Sequence, residues 1–139
     1  MDDWRSLCFY YFYCHEVELM ILICVVDDDA SVRNGLGNLL KSLGYASVGF
    51  ASGEEFLASS TIDEANCVFL DLMMKGMQGL EVLQQLKAAG NSVAVFCMSA
   101  QDDEGTIRRT LDAGALGFLR KPFSEDALLD AIKQALEHQ

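Results

Sequence analysis

The chain has 139 residues, of which 51% are hydrophobic, and it carries 21 acidic against 10 basic residues, giving a formal net charge of −11. A chain of this length forms one domain around a single core, because chains divide into several domains only at greater lengths. The negative charge argues against direct binding to nucleic acid or to an anionic membrane surface, and the apolar content argues against intrinsic disorder.

The first nineteen residues differ from the rest, and residues 1–19 are predicted to be an N-terminal extension. They are rich in aromatic residues and lack the strand and helix alternation that begins at Met20. Acidic residues at positions 2, 3, 16 and 18 argue against a signal peptide and against a transmembrane helix. Three interpretations stay open: an extra strand, an arm that contacts a partner, or an upstream translated stretch before a natural start at Met20.

The five cysteines contain no CxxC pair, so their spacing fits neither a zinc site nor a disulfide framework. Three of them lie within apolar runs, where cysteine usually behaves as a small hydrophobic residue. A reducing cytoplasm is the compartment that this pattern indicates.

From Met20 onward, apolar runs alternate with segments of helical periodicity, which predicts five strand-helix units. The strands are ILICVV at 21–26, ASVGF at 46–50, CVFLD at 67–71, VAVFCMS at 93–99 and GFL at 117–119. The second helix begins with a capping box of Ser52 and Glu55, and the fourth is predicted to turn Ile107 and Leu111 inward. Because the strands are continuously apolar, the sheet is predicted to be parallel, with helices on both faces.

Ligands of parallel α/β sheets bind at the carboxyl ends of the strands, so the polar residues there are the candidate site. These residues are Asp27, Asp28 and Asp29 after the first strand, Asp71 after the third, Ser99 after the fourth and Lys121 after the fifth. Carboxylates at one edge repel each other unless a cation compensates, and oxygen ligands without Cys or His favour Mg²⁺. The Ser99 hydroxyl and the Lys121 ammonium suit phosphoryl oxygens. The pattern therefore indicates a phosphoryl site around one nucleophilic carboxylate.

Taken singly, these residues fit simpler roles. An Asp that follows a strand often caps the next helix, and Asp29 is predicted to be such a cap or a solvated turn acid. Asp71 alone fits a turn, Ser99 alone fits a helix cap, and Phe118 alone fits the core. Only their joint occurrence with Lys121 favours phosphoryl chemistry.

Four motifs in this order and at these separations resemble the receiver domain of two-component response regulators, the flavodoxin-like, CheY-like family. The motifs are VVDDDASVR, FLDLMMKGMQGLEVL, VFCMSA and DAGALGFLRKPF, and the resemblance covers residues 20–139. It implies a doubly wound (βα)5 fold with a five-stranded parallel sheet. The chain is most similar to receivers that often precede a helix-turn-helix output domain. No such domain follows in this sequence, so the expected output is a protein contact in trans, unless the chain is a fragment of a longer protein.

The resemblance also implies a role for each site residue. Asp71 is the expected phosphoacceptor, and Mg²⁺ is expected to bind Asp27, Asp28, Asp71 and the backbone carbonyl of Met73. The other roles that the resemblance implies are the switch hydroxyl for Ser99, the phosphoryl contact for Lys121, the switch aromatic for Phe118 and a cis peptide bond before Pro122.

The function implied is phosphorelay signalling. The chain is expected not to be an enzyme beyond self-phosphorylation and autodephosphorylation. The expected partners are a sensor histidine kinase or phosphotransfer protein and a downstream protein target, with no direct nucleic-acid or membrane contact, and a homodimer is one arrangement that the resemblance allows. The alternatives are a receiver-like interaction or assembly module without phosphorylation, which the complete residue set disfavours, and an aspartyl phosphohydrolase, which Met73 in place of a second acid disfavours.

Two positions depart from the family pattern. Lys75 stands where Pro is usual, and Gln78 stands where Asp or Asn is usual. Without Pro the backbone gains an N–H donor and loses a fixed φ, so the loop after Asp71 is predicted to move more freely. The Lys75 ammonium is expected to point to solvent, with contact to the acidic edge or to a partner as the alternatives. If it competed for the metal position, it would weaken Mg²⁺ affinity without the loss of a ligand.

Overall fold

The computed structural model describes residues 21–138, where five strands and five α-helices alternate as predicted. The strands are β1 (Leu22–Val26), β2 (Ala46–Phe50), β3 (Cys67–Asp71), β4 (Val95–Ser99) and β5 (Gly117–Arg120). The helices are α1 (Ala30–Ser42), α2 (Gly53–Ala58), α3 (Gly79–Ala88), α4 (Glu104–Asp112) and α5 (Glu125–His138), and a 3-10 turn, Ser60–Glu64, follows α2. The three interpretations of residues 1–19, and a start at Met20, lie outside the described residues.

The strands form one parallel sheet in the order β2-β1-β3-β4-β5, which confirms the predicted doubly wound fold. The chain passes from β1 outward to β2 and then returns to β3 on the other side of β1. Such a switch in strand order opens a crevice at the carboxyl ends of the two central strands. Val26 of β1 pairs with Leu70 of β3, so the residues that follow them, Asp27 and Asp71, are neighbours at this crevice.

Apolar side chains cover both faces of the sheet, as the continuous hydrophobic runs predict. All five residues of β3 are buried, because alternate side chains pack against different helices. Helices α1 and α5 cover one face, where Leu40 and Ile132 belong to one apolar cluster with Phe69. Helices α2 and α3 cover the other face, where Phe56 and Val82 are fully buried. Burial of each such side chain stabilises the fold by about 1.5–3 kcal/mol.

The cysteines within the described residues behave as the sequence predicts. Cys24, Cys67 and Cys97 are free and buried in the strands. Burial raises the pKa of Cys24 to about 11 and those of Cys67 and Cys97 to about 12, so their thiols stay protonated and pack as small apolar groups. Within residues 21–138, no helix has the length and apolar character needed to cross a membrane.

Two details of the predicted elements differ in the structure. The prediction that Leu111 faces inward is wrong, because its side chain is 44% exposed. Thr110 is buried instead, and its hydroxyl donates a hydrogen bond of 2.8 Å to the Thr106 carbonyl, which satisfies the buried oxygen. The capping box is partial: Ser52 accepts the Glu55 N–H as predicted, but the Glu55 carboxylate accepts from Ala51.

Candidate functional site

The loop after β1 holds Asp27 in a fixed position. Asp27 is buried, and its Oδ1 accepts a 2.9 Å hydrogen bond from the Asp29 N–H. Asp29 caps α1 by accepting from the Ser31 N–H at 2.8 Å, as predicted. The guanidinium of Arg33, one turn into α1, donates to the Asp27 carbonyl at 2.7 Å. Nothing in the sequence pattern indicates this Arg33 contact, which joins the helix to the loop.

Three carboxylates meet at the switch point. One oxygen from each of Asp27, Asp28 and Asp71 lies within 4.8 Å of the others. Asp27 and Asp71 are buried, whereas Asp28 is exposed. The sequence predicts this convergence, because it places Asp27 and Asp28 directly after β1 and Asp71 at the carboxyl end of β3.

Lys121 lies just past β5 and reaches across the carboxyl ends to this cluster. Its Nζ donates to Asp27 Oδ2 at 2.8 Å and to Asp71 Oδ1 at 3.3 Å. Burial alone would lower the Lys121 pKa, but the hydrogen bond to Asp27 and the nearby negative charges outweigh it, so the pKa rises above the ordinary 10.5. The Lys121–Pro122 peptide bond is cis, as the resemblance implies.

The pKa of the Asp71 carboxylate lies above its ordinary value of 3.8. Burial raises its pKa first, and the charge of Asp27 raises it further. Lys121 and the Met73 N–H, which donates to Asp71 Oδ1 at 3.4 Å, lower it again, and the result is a pKa of about 6. At neutral pH the group is therefore mostly ionised, although its environment penalises the charge.

The remaining predicted site residues lie at or near the same edge. Ser99 ends β4 and is buried, and its Oγ accepts the Gln101 N–H at 3.0 Å. Phe118 is half-buried and packs against the apolar cluster on the α2 and α3 side of the sheet. The Met73 side chain is 58% exposed beside Asp71, and the role of its carbonyl as a metal ligand stays a prediction.

The loop between β3 and α3 has two anchors that the sequence does not indicate. The Lys75 N–H donates to Asp28 Oδ2 at 2.9 Å, which ties this loop to the loop after β1. The Gln78 side chain does not cap α3 but bonds to both the N–H and the carbonyl of Met74. At Gly79 the chain passes so close to β3 that an added Cβ would lie 2.6 Å from the Asp71 carbonyl oxygen.

The donor set suits a hard divalent cation. The cluster contains three carboxylates, and Lys121 is the one cation that the described residues pair with them, so two negative charges are uncompensated when all are ionised. The donors are all oxygens, which Mg²⁺ prefers, and one of the three carboxylates is exposed to solvent, which allows bound waters. Asp27, Asp28 and Asp71 therefore fit a magnesium site.

These features define a class: a doubly wound α/β protein with a magnesium-compatible acidic crevice and a lysine at its switch point. The chain belongs to the response regulator receiver domain family, whose family model matches residues 23–133.

Relatives with curated names support this assignment. The chain is 34% identical over 122 residues to nodulation protein W of Bradyrhizobium diazoefficiens and 36% identical over 112 residues to the transcriptional regulatory protein FixJ of Azorhizobium caulinodans. These alignments cover 88% and 81% of this chain but 54% and 53% of the relatives. The chain therefore spans about half the length of the curated relatives it matches.

Solved structures agree. The response regulator StyR is 41% identical, with a TM-score of 0.78 over 86% of this chain and 60% of that one. The structure described as FixJ-N is 29% identical, with a TM-score of 0.76 over 86% of this chain and 95% of that one.

Receiver domains act in two-component phosphorelay signalling and are phosphorylated by histidine kinases, so this chain is a signalling domain and not a classical enzyme. The family assignment does not favour the alternative function, a receiver-like interaction module without phosphorylation.

Proposed function

We propose that Asp71 is the phosphoacceptor of this receiver domain. One observation carries the proposal: the Asp71 carboxylate ends the central strand β3 and lies in the acidic crevice with the Lys121 ammonium 3.3 Å from its Oδ1. Its pKa of about 6 leaves it ionised and nucleophilic at neutral pH. Asp27 and Lys121 are both fixed by hydrogen bonds before any phosphoryl group arrives, and such positioning is the main part of phosphoryl-transfer catalysis.

In the transfer step, an Asp71 carboxylate oxygen attacks the phosphorus of a phosphohistidine. A new O–P bond forms while the N–P bond breaks, and the electron pair leaves with the histidine nitrogen, which takes a proton from solvent. Lys121 neutralises charge on the phosphoryl oxygens, and the Ser99 hydroxyl donates a hydrogen bond to one of them. Later, water cleaves the acyl phosphate, which returns Asp71 and releases inorganic phosphate.

Asp27, Asp28, Asp71 and the Met73 carbonyl would hold Mg²⁺. When bound, the ion supplies positive charge toward the phosphoryl oxygens. The buried Asp27 suits this role because its second oxygen already contacts Lys121, so its charge is partly compensated in the free protein. The exposed Asp28 leaves one side of the cluster open to water.

The signal would leave through a change at the face of α4, β5 and α5. Ser99 would move toward the phosphoryl group and Phe118 would repack. The population of molecules would thereby shift between two packings of this face. A cavity of about 170 Å³ borders Ser99, Thr106 and Thr110, which leaves room for a shift of the Ser99 side chain. The half-buried state of Phe118 is compatible with either packing.

The proposed setting follows from the family. Residues 20–139 form the receiver domain and residues 1–19 an extension. A sensor histidine kinase or a phosphotransfer protein donates the phosphoryl group in the cytoplasm, and a downstream protein is bound in trans, with a homodimer as one assembly that the face of α4, β5 and α5 would allow.

Phosphorylation is tested by intact mass after incubation with a small acyl phosphate and Mg²⁺. The wild-type chain is expected to gain one phosphoryl group, and chelation of Mg²⁺ is expected to prevent the gain. Asp71→Ala should gain none, whereas Asp29→Ala, which removes a helix cap outside the cluster, should gain it as the wild type does. Equal gain in Asp71→Ala and the wild type would refute the proposal.

A further inference from the structure

The three carboxylates of the acidic crevice are not held equally. Asp27 is fixed by the Asp29 N–H and by Lys121, and Asp71 contacts Lys121 and the Met73 N–H. Asp28 is exposed, and among the described residues its carboxylate has one hydrogen-bond donor, the Lys75 N–H at 2.9 Å. Without that bond the carboxylate would rotate freely in solvent, and a cation would have to order it on binding.

The donor is a main-chain group, and its position is well supported. The Gln78 side chain bonds to both the N–H and the carbonyl of Met74, the residue directly before Lys75. Gly76, directly after Lys75, adopts φ +75°, a conformation that favours glycine. Every residue type except proline offers an N–H at position 75, so proline removes this donor without adding a charge.

We propose that the Lys75 main-chain N–H is a positioning group of the magnesium site. It holds Asp28 by Oδ2 and leaves the other lone pairs of the carboxylate for the cation, in the way that hydrogen bonds orient metal-ligating carboxylates elsewhere. The inference rests on the Mg²⁺ site of the proposed function. It concerns the Lys75 backbone N–H, which is expected to strengthen Mg²⁺ binding, whereas the Lys75 ammonium is expected to weaken it.

Two substitutions distinguish the effect of the Lys75 N–H on Mg²⁺ affinity from that of its ammonium. Lys75→Ala removes the ammonium and keeps the N–H, so Mg²⁺ affinity should stay equal or increase, because a repelling charge near the site is gone. Lys75→Pro removes both. Loss of a group that orients a metal ligand typically weakens metal binding about 10–100-fold, and the exposure of Asp28 favours the lower end of that range.

The experiment is Mg²⁺ titration by calorimetry on the full chain without a phosphoryl donor, with circular dichroism to verify that each variant is folded. Lys75→Pro is expected to bind Mg²⁺ about tenfold more weakly than Lys75→Ala. Equal or tighter binding by Lys75→Pro overturns the inference while leaving the proposed function intact. Failure of the wild type to bind Mg²⁺ would instead count against the metal site itself.

A second measurement does not depend on the proline variant. Hydrogen exchange of the Lys75 amide, followed by NMR, should be slow in the wild type and remain slow when Mg²⁺ is bound. Asp28→Ala should accelerate it about tenfold or more, since the acceptor is lost. Unchanged exchange in Asp28→Ala, or loss of protection when the wild type binds Mg²⁺, would show that the bond does not position Asp28 in the metal-bound site.

Discussion

Lys121→Met is expected to lower the free energy of unfolding by about 2–3 kcal/mol at pH 7.5. The substitution keeps the length and the apolar stem of the side chain but removes the ammonium that contacts Asp27 and Asp71. Removal of one partner of a buried ion pair costs about 3–5 kcal/mol, and the 25% exposure of the lysine side chain reduces this value. Urea denaturation of both proteins without divalent cations measures the difference.

The pH dependence of this loss of stability follows from the titration of Lys121 and of Asp71. The folded-state pKa of Lys121 is raised, so its stabilising contribution is complete below its ordinary pKa of 10.5 and is lost as the pH rises through the folded-state value. As the pH falls through about 6, Asp71 takes up a proton, and its repulsion with Asp27, which Lys121 offsets, is relieved. The loss in Lys121→Met should therefore shrink between pH 7.5 and pH 5.

Lys133→Met, at an exposed position of α5, is the matched control and should change stability little at either pH. A loss in Lys121→Met that equals that of Lys133→Met would contradict the charge balance described for the crevice. So would a loss that grows as the pH falls toward 5.

Asp71→Asn is expected to increase the free energy of unfolding by about 1–2 kcal/mol at pH 7.5 in the absence of Mg²⁺. Burial and Asp27 raise the Asp71 pKa from 3.8 to about 6, so the folded state binds this proton more tightly than the unfolded state. Stability contributed by the carboxyl proton is present at low pH and is lost as the pH rises through about 6. Asparagine removes that dependence while keeping the size of the side chain.

The gain in the free energy of unfolding of Asp71→Asn should therefore be largest above pH 6 and should decrease as the pH approaches 4. Saturating Mg²⁺ should reverse the order of stability of the two proteins, because the proposed Mg²⁺ site includes the Asp71 carboxylate, which the variant lacks. Asp29→Asn is a suitable control, since asparagine is also a good helix cap. Lower stability of Asp71→Asn than of the wild type at pH 7.5 without Mg²⁺ would contradict this account.

The acidic crevice was predictable because it depends on topology. Once the continuous apolar runs indicate a parallel sheet, the residues at the carboxyl ends of β1, β3 and β5 must share one edge, so the positions of Asp27, Asp71 and Lys121 follow from the topology alone. The family resemblance then adds roles to those positions. The same reasoning places Ser99, the last residue of β4, at this edge.

Details that depend on three-dimensional contacts were not predictable in this way. Residues three and four positions apart lie on the same side of a helix, so the spacing from Ile107 does not decide between Thr110 and Leu111 as the buried neighbour. The bond from Lys75 to Asp28 joins positions 47 residues apart. Its one sequence signal is the absence of proline at position 75, which restores a donor but does not say which acceptor it reaches.

The Gln78 contact with Met74 shows the same limit. A polar residue before α3 suggests a helix cap, yet the longer glutamine side chain turns back to the loop and bonds to Met74. The predicted freer loop thus has two anchors, and the hydrogen exchange of its amides measures how firmly they hold it.

The most direct test of the central claim is chemical location of the phosphoryl group. The chain is treated with a small acyl phosphate and Mg²⁺, reduced with borohydride, which converts an aspartyl phosphate to the corresponding alcohol, and analysed as peptides by mass spectrometry. The account predicts that reduction marks Asp71 and no other carboxylate. Reduction at Asp27 or Asp28, or phosphoryl uptake that leaves Asp71 unreduced, would contradict it.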